Sequence, residues 1–208
     1  MTNVTTRREK GRAREEAVLR AATQAIADLG LANVRVSDIA ERAGIGPGHL
    51  TYYFPAKDDL LMQAIRWSEQ RFHDRVDTEI SGITDPWERL LRLIDLAAAD
   101  GPGDPFWALW FEVWANARTD PTVAEGGREL EAWWRSSLND VLAYGLDRDA
   151  FRADAIEDAV ISLGALVDGL SVQLALGQGD LTKLKLLELC GAAAHLLLDP
   201  TPGRRSQP

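Results

Sequence analysis

Only one cysteine, Cys190, occurs among the 208 residues, so the chain cannot form an internal disulfide, and a reducing cytoplasm is the compartment it fits. Long apolar runs are also scarce. The longest, VISLGALVDGL, is cut by Asp168 and falls short of the roughly 18 residues that a membrane span needs, so no membrane partner is expected. The opening residues MTNVTTRREKGRAREE carry charge with no apolar stretch behind them, so a secretory leader is not expected. Catalytic chemistry is thin as well: the three histidines, His49, His73 and His195, sit in no HExxH pattern and show no zinc-ligand spacing, and neither a serine nor a cysteine nucleophile pattern accompanies them. Cys190 lies in LELCGAAAHLLL, where a small buried residue explains it. No catalytic residue, metal or cofactor is therefore expected.

A phosphate-cradling loop is the next exclusion. The glycines of GIGPGHLTYYFPAKDDLL, Gly44, Gly46 and Gly48, follow a helical pattern rather than a strand, and no Gly-Lys pair is present. Period-two alternation persists nowhere for more than a few residues, so strands are not expected either.

What the chain does have is apolar content, 46%, enough for a substantial core, and an uneven distribution of charge. The net charge is −9, yet residues 1–60 hold nine Lys or Arg against eight Asp or Glu, while the remainder holds 14 against 24. Arg7, Arg8, Lys10, Arg12 and Arg14 crowd the first segment with only Glu9 among them. The acidity thus belongs to the larger part, and the first part remains free to meet a polyanion.

Helical periodicity runs throughout. Val18, Ala22, Ala25, Ile26 and Leu29 recur at three- and four-residue spacing from Glu15, with Gly30 as a stop. A short helix fits Ser37 to Ala43, with Ser37 at its N-cap, and a third fits Pro47 to Tyr53. A long fourth begins near Lys57 and carries Leu61, Ile65, Phe72 and Val76 inward. Asp-Pro pairs open DPWERLLRLIDLAAA, DPFWALWFEVWANA and DPTVAEGGRELEAWW, each with Asp as cap and Pro at the first helical position. Two further helices, near 154–176 and 181–198, complete the pattern, and PTPGRRSQP reads as a disordered tail.

A short helix, a glycine turn and a second short helix form a helix-turn-helix, whose second helix enters the DNA major groove. On a wheel of about 100° per residue, Leu50 and Phe54 face inward with Tyr53 beside them, while Gly48, His49, Thr51 and Tyr52 point outward. An outward face without Glu, Lys or Arg is unusual for a solvated helix and suits one pressed against a partner. Gly46 and Pro47 start the helix near a phosphate, Gly48 permits close approach, and His49, Thr51 and Tyr52 reach base edges or phosphate. Lys57 can hold a phosphate across the groove, and the basic arm can follow the backbone or the minor groove.

The run VRVSDIAERAGIGPGHLTYYFPAKDDLL resembles the N-terminal DNA-binding domain of the TetR family of transcriptional regulators, with Ile39, Ala40, Ala43, Gly44, Ile45, Gly48, Leu50, Tyr53, Phe54, Lys57, Leu60 and Leu61 in one register. The resemblance implies an all-α fold, with a three-helix DNA-binding unit joined to a larger helical domain for ligand binding and dimerisation. Its expected boundaries are a basic arm at 1–14, the DNA-binding domain at 15–56, the regulatory domain at 57–199 and the tail at 200–208. Where the family has serine, tyrosine, threonine and serine, this chain has Gly46, Thr51, Arg35 and Ala56. Contacts to DNA carry over by position to Arg35, Ser37 and Thr51, and these departures bear on operator choice.

In the larger part, Trp107, Trp110, Phe111 and Trp114 fall at i, i+3, i+4 and i+7, with Trp133 and Trp134 on the next helix. Core packing is the plain reading of each ring. Three indoles on one stripe nevertheless leave space that suits a flat apolar ligand or an amine. Asp168 interrupts an apolar helix whose Gly164, Ala165, Gly169 and Ser171 are small enough for close helix approach across a two-fold axis; it either lines the pocket or sits at that seam. LVDGLSVQLALG with the tryptophan-rich helix is similar to the C-terminal domain of BetI-like members of the family. The expectation is a cytoplasmic homodimeric repressor, released from a near-palindromic double-stranded operator by an unknown small-molecule effector. From the residues alone, an α-helical ligand-binding protein or enzyme acting away from DNA stays open as the alternative.

Overall fold

The computed structural model describes residues 2–151 and 156–198, with side chains from residue 11 onward. The expected tail at 200–208 lies outside the described residues, as do the side chains of Arg7, Arg8 and Lys10. Nine helices and no strand occur among them: α1 Thr2–Leu29, α2 Val36–Arg42, α3 Pro47–Tyr53, α4 Lys57–Ser81, α5 Pro86–Ala97, α6 Pro105–Ala117, α7 Pro121–Leu146, α8 Ile156–Ala175 and α9 Lys183–Leu198. The three proline starts hold. At α5 the Asp85 carboxylate accepts from the Glu88 backbone N–H at 2.7 Å, satisfying a first-turn donor that the helix itself leaves unpaired.

Two helix starts differ from expectation. α1 begins at Thr2 rather than Glu15, so the backbone of the basic arm is helical. The arm holds Arg7, Arg8, Arg12 and Arg14 with Glu9 and Lys10, all good helix formers, and extending an existing helix adds one hydrogen bond per residue fixed. Ser37 is not the cap of α2. The cap is Arg35, in extended backbone, and its N–H donates to the Asp38 carboxylate at 2.8 Å, leaving Ser37 exposed in the first turn.

Packing divides the chain into two compact units, residues 1–73 with 105–129, and residues 74–104 with 130–208. In the first, α1 packs against α2 and α6, and α2 against α3. Its interior is built from Val18, Ala22, Ile26, Ile39, Leu50, Leu60, Ile65, Trp107 and Val113. Phe72 is only half-buried. The Thr23 hydroxyl donates to the Leu19 carbonyl at 2.9 Å and lies 3.2 Å from the Ala64 carbonyl, tying α1 to α4.

In the second unit α9 packs against α5 and α8, around Leu90, Leu93, Ile94, Leu138, Leu142, Leu163 and Leu186. The Trp87 ring stacks on His195 at 4.0 Å and meets Phe151 edge-on at 4.8 Å. α8 is long and apolar enough to cross a membrane by length and composition, despite Asp168. It is a core helix here: Ala159, Leu163, Gly164, Val167, Ser171 and Leu174 are buried, and the Ala99 N–H donates to the Ser171 hydroxyl at 3.2 Å. Cys190 is fully buried, and burial pushes its thiol up to about 11, far from the thiolate a nucleophile requires.

Candidate nucleic-acid interface

The turn between α2 and α3 is set by Gly44. Helix α2 ends in paired bonds, from the Ile45 N–H to the Ala40 carbonyl at 3.0 Å and from the Gly44 N–H to the Glu41 carbonyl at 3.1 Å. This double closure needs a residue at positive φ, and Gly44 supplies it at +66°. Gly46 caps α3 in extended backbone without a side-chain bond, Pro47 takes the first helical position, and the Phe54 N–H closes the helix on the Leu50 carbonyl at 2.9 Å.

Leu50 is fully buried and Phe54 is 5% exposed, and together they anchor α3 to its unit. Tyr53, expected beside them, is 41% exposed and belongs to the rim. At three residues from Leu50 it lies about 60° off the inward direction, enough to leave the ring in solvent against Tyr52, 5.3 Å away and edge-on. Tyr52 is 79% exposed, and His49, Thr51, Gly46, Pro47 and Gly48 are exposed beside it. The Thr51 hydroxyl donates to the Pro47 carbonyl at 3.0 Å, which leaves its methyl and oxygen lone pairs facing out.

Nothing inside the molecule calls for glycine at 46 or 48. Neither has positive φ, and a Cβ added at either would meet no atom within 4 Å. Arg35 and Ser37 are exposed at the start of α2, and Lys57 is half-buried at the start of α4. Arg42 is less available than its position implies, since it pairs with Asp28 at 2.7 Å.

On α6, Trp107, Trp110, Phe111 and Trp114 form one aromatic cluster, with Trp110 and Trp114 centroids 5.6 Å apart and Trp107 and Trp114 6.1 Å apart. Trp107 is buried, Trp110 and Phe111 are half-buried and Trp114 is 42% exposed. Trp133 and Asp168 belong to the second unit. There Trp134, not Trp133, is the buried ring, with its indole nitrogen 3.5 Å from where a Gly164 Cβ would stand. Asp168 is half-buried, and burial first, then the charge of Glu131, raises its pKa to about 6 against the opposing pull of Arg135.

Two carboxylates escaped sequence reasoning. Glu112 of α6 accepts from the Leu31 N–H at 2.6 Å, just past Gly30 (φ +81°), where an added Cβ would lie 3.3 Å from the Glu112 Oε1. Glu69 of α4 is 6% exposed, accepts from the Trp110 indole N–H and lies 3.7 Å from His73 Nε2. Glu69 lies in the same helix as the inward Ile65 and Phe72, and the sequence of α4 carries no sign of its long-range contact with Trp110 of α6. No group of three His, Cys, Asp or Glu suited to a metal occurs among the described residues.

Residues 86–199 match the family described as BetI-type transcriptional repressor, C-terminal, and residues 18–64 match the bacterial regulatory proteins of the tetR family. The HTH-type transcriptional regulator BetI of Rhizobium meliloti is 29% identical over 164 residues, 78% of this chain and 78% of that protein. The Burkholderia lata BetI is 28% identical over 192 residues, 89% of this chain and 94% of its own length. A transcriptional regulator of Saccharomonospora viridis, solved in complex with choline, superposes with a TM-score of 0.81 at 27% identity, over 90% of this chain and 98% of that one. A TetR regulator of Haloarcula marismortui, at 22% identity and a TM-score of 0.78 over 89% of this chain and 98% of its own, shares the fold. The chain belongs to the TetR family of bacterial transcriptional regulators, and its C-terminal part is of the BetI repressor type.

Proposed function

We propose that the protein is a cytoplasmic homodimeric repressor that binds a near-palindromic operator through two copies of α3 and leaves it when a small cationic effector binds. The observation that carries the DNA reading is the outward face of α3: exposed His49, Thr51 and Tyr52 beside two glycines that no internal packing requires. Close approach of another molecule gives those glycines a reason, and a major groove fits the face. Arg35, Ser37, Gly46, Pro47 and Lys57 flank it as backbone contacts, within a DNA-binding domain at 15–56. The regulatory domain at 57–199 carries the effector site and the dimer seam. Ile161 on α8 and Leu184, Leu189, Leu196 and Leu197 on α9 are exposed apolar side chains of the kind that a second copy would cover.

The choline held by the Saccharomonospora viridis regulator suits the α6 rings here, since aromatic faces attract a cation. Trp107, Trp110, Phe111 and Trp114, all of the first unit, form the effector site. Helix α6 also carries Glu112, which grips the turn after α1. A ligand that tilts α6 therefore shifts α1 and the helix-turn-helix built on it, and with them the spacing of the recognition helices. Such release works through differential affinity of the effector for the two conformations.

A gel shift with the DNA upstream of its own gene tests the DNA reading. The wild-type protein is expected to bind with strong salt dependence, and the His49→Ala, Tyr52→Ala double variant to lose at least about tenfold in affinity. Equal binding by the variant would remove α3 from the interface.

A further inference from the structure

The rotation of α3 about its own axis is fixed from beneath. Leu50 is fully buried and Phe54 nearly so, which leaves Gly48, His49, Thr51 and Tyr52 exposed. Helical side chains lean back toward the N-terminus, so Thr51 lies over the turn that holds Pro47 and Gly48. Its hydroxyl donates to the Pro47 carbonyl at 3.0 Å, and a threonine hydroxyl has one proton to give. Thr51 therefore has no donor left for a base or a phosphate.

What Thr51 presents is its γ-methyl, and the residue one turn back has nothing to cover it. Gly48 carries no side chain, and a Cβ built there would meet no atom within 4 Å. At i and i+3 the two are neighbours on the helix surface, so the methyl and the bare Gly48 backbone make a shallow apolar notch beside His49 and Tyr52. In the major groove a base pair presents hydrogen-bonding atoms and one apolar group, the thymine 5-methyl. Guanine offers two acceptors there, which would face a hydroxyl oxygen with no proton to share. The notch therefore fits thymine.

We infer that Thr51 and Gly48 together read a thymine methyl, one in each operator half-site, so that part of the sequence preference of this regulator is apolar and not hydrogen-bonded. This rests on the DNA reading above and names what that face recognises. The hydrogen-bonding share of the readout falls to His49 and Tyr52.

The test uses the DNA upstream of its own gene. Footprinting defines the protected segment, and duplexes of that segment are made with uracil in place of one thymine at a time, a change that removes only the methyl. In a gel shift, wild-type protein is expected to lose about three- to fivefold in affinity at one thymine per half-site, and at least about tenfold when both are replaced, as one and two buried methyl groups imply. Thr51→Ser, which deletes the methyl and keeps the hydroxyl, distinguishes uracil from thymine there by less than about twofold. Thr51→Val, which keeps a methyl and deletes the hydroxyl, preserves a preference of at least about threefold. Both changes fall on an exposed residue, and circular dichroism verifies folding. A wild-type protein indifferent to every uracil overturns the inference, as does a Thr51→Ser protein that still prefers thymine or a Thr51→Val protein that does not. A wild-type protein that protects no segment overturns the DNA reading as well, which separates the two failures.

Discussion

Gly48 is where the needs of folding part from those of the proposed DNA contact. Within the molecule its missing Cβ relieves no contact and its φ is ordinary, so glycine there only weakens α3. Gly48→Ala is expected to stabilise the protein by about 0.5–1 kcal/mol, read as a rise in Tm, and at the same time to weaken operator binding as the methyl intrudes on the groove. A variant with unchanged DNA affinity would show that nothing approaches the backbone at that point. Asp168 gives a second prediction. Its carboxyl holds a proton up to about pH 6 in the folded state against 3.8 for the ordinary group, so the native state binds more protons than the unfolded chain between those values. Stability contributed by this group is therefore present at low pH and lost as pH rises through about 6. Asp168→Asn removes that loss; discounting for partial solvent exposure, it is expected to raise stability at pH 7 by about 1 kcal/mol and to flatten the pH dependence of Tm relative to wild type. Several residues were legible from pattern alone: Leu50 and Phe54 fall on the inward phase, His49, Thr51 and Tyr52 on the outward, and all lie where the wheel puts them. Tyr53 was not, because a side chain at the edge of the stripe is decided by what packs beside it. Ser37 was misleading because the cap falls on Arg35, whose N–H the Asp38 carboxylate accepts, and Glu69 went unread because its burial depends on α6.

At the level of elements, the α2–α3 turn and the α1–α6 contact do most to set the geometry of the interface. Gly44→Ala forces an alanine to φ near +66° and is expected to cost about 1 kcal/mol, with a larger proportional loss in DNA binding because the turn aims α3. Urea denaturation and operator titration on the same variant would separate the two effects. Glu112→Gln weakens the grip on the Leu31 N–H, which lies 2.6 Å from the carboxylate. If α6 transmits the effector signal through this contact, the variant loses a large part of the coupling between effector and operator, typically 1–3 kcal/mol in allosteric proteins. Unchanged coupling in Glu112→Gln would remove this contact from the relay. Element boundaries were readable where proline or glycine punctuates the chain, as at Pro47, Pro86, Pro105 and Pro121. The start of α1 was not, because the one glycine of the charged arm, Gly11, lies inside the helix without ending it, and the rest of the arm satisfies both helix and arm.

For the whole molecule, the uneven charge noted at the outset acquires a physical role. The acidic remainder repels DNA, so the weakly basic first 60 residues dominate approach, and binding is expected to fall steeply with salt. The exposed leucines of α9, with Leu196 at 89% and Leu184 at 78%, are expected to close a dimer. A Leu184→Glu, Leu196→Glu variant should sediment as a monomer and bind a two-half-site operator far more weakly than wild type, since one copy then reaches only one half-site. The account as a whole is tested most directly by titrating choline into a preformed complex of the wild-type protein with its operator, followed by fluorescence anisotropy of labelled DNA. The expected result is release, with the apparent Kd for DNA raised at least about tenfold at saturating choline and a reciprocal weakening of choline binding by DNA. Choline that binds the protein yet leaves its affinity for the operator unchanged would contradict it.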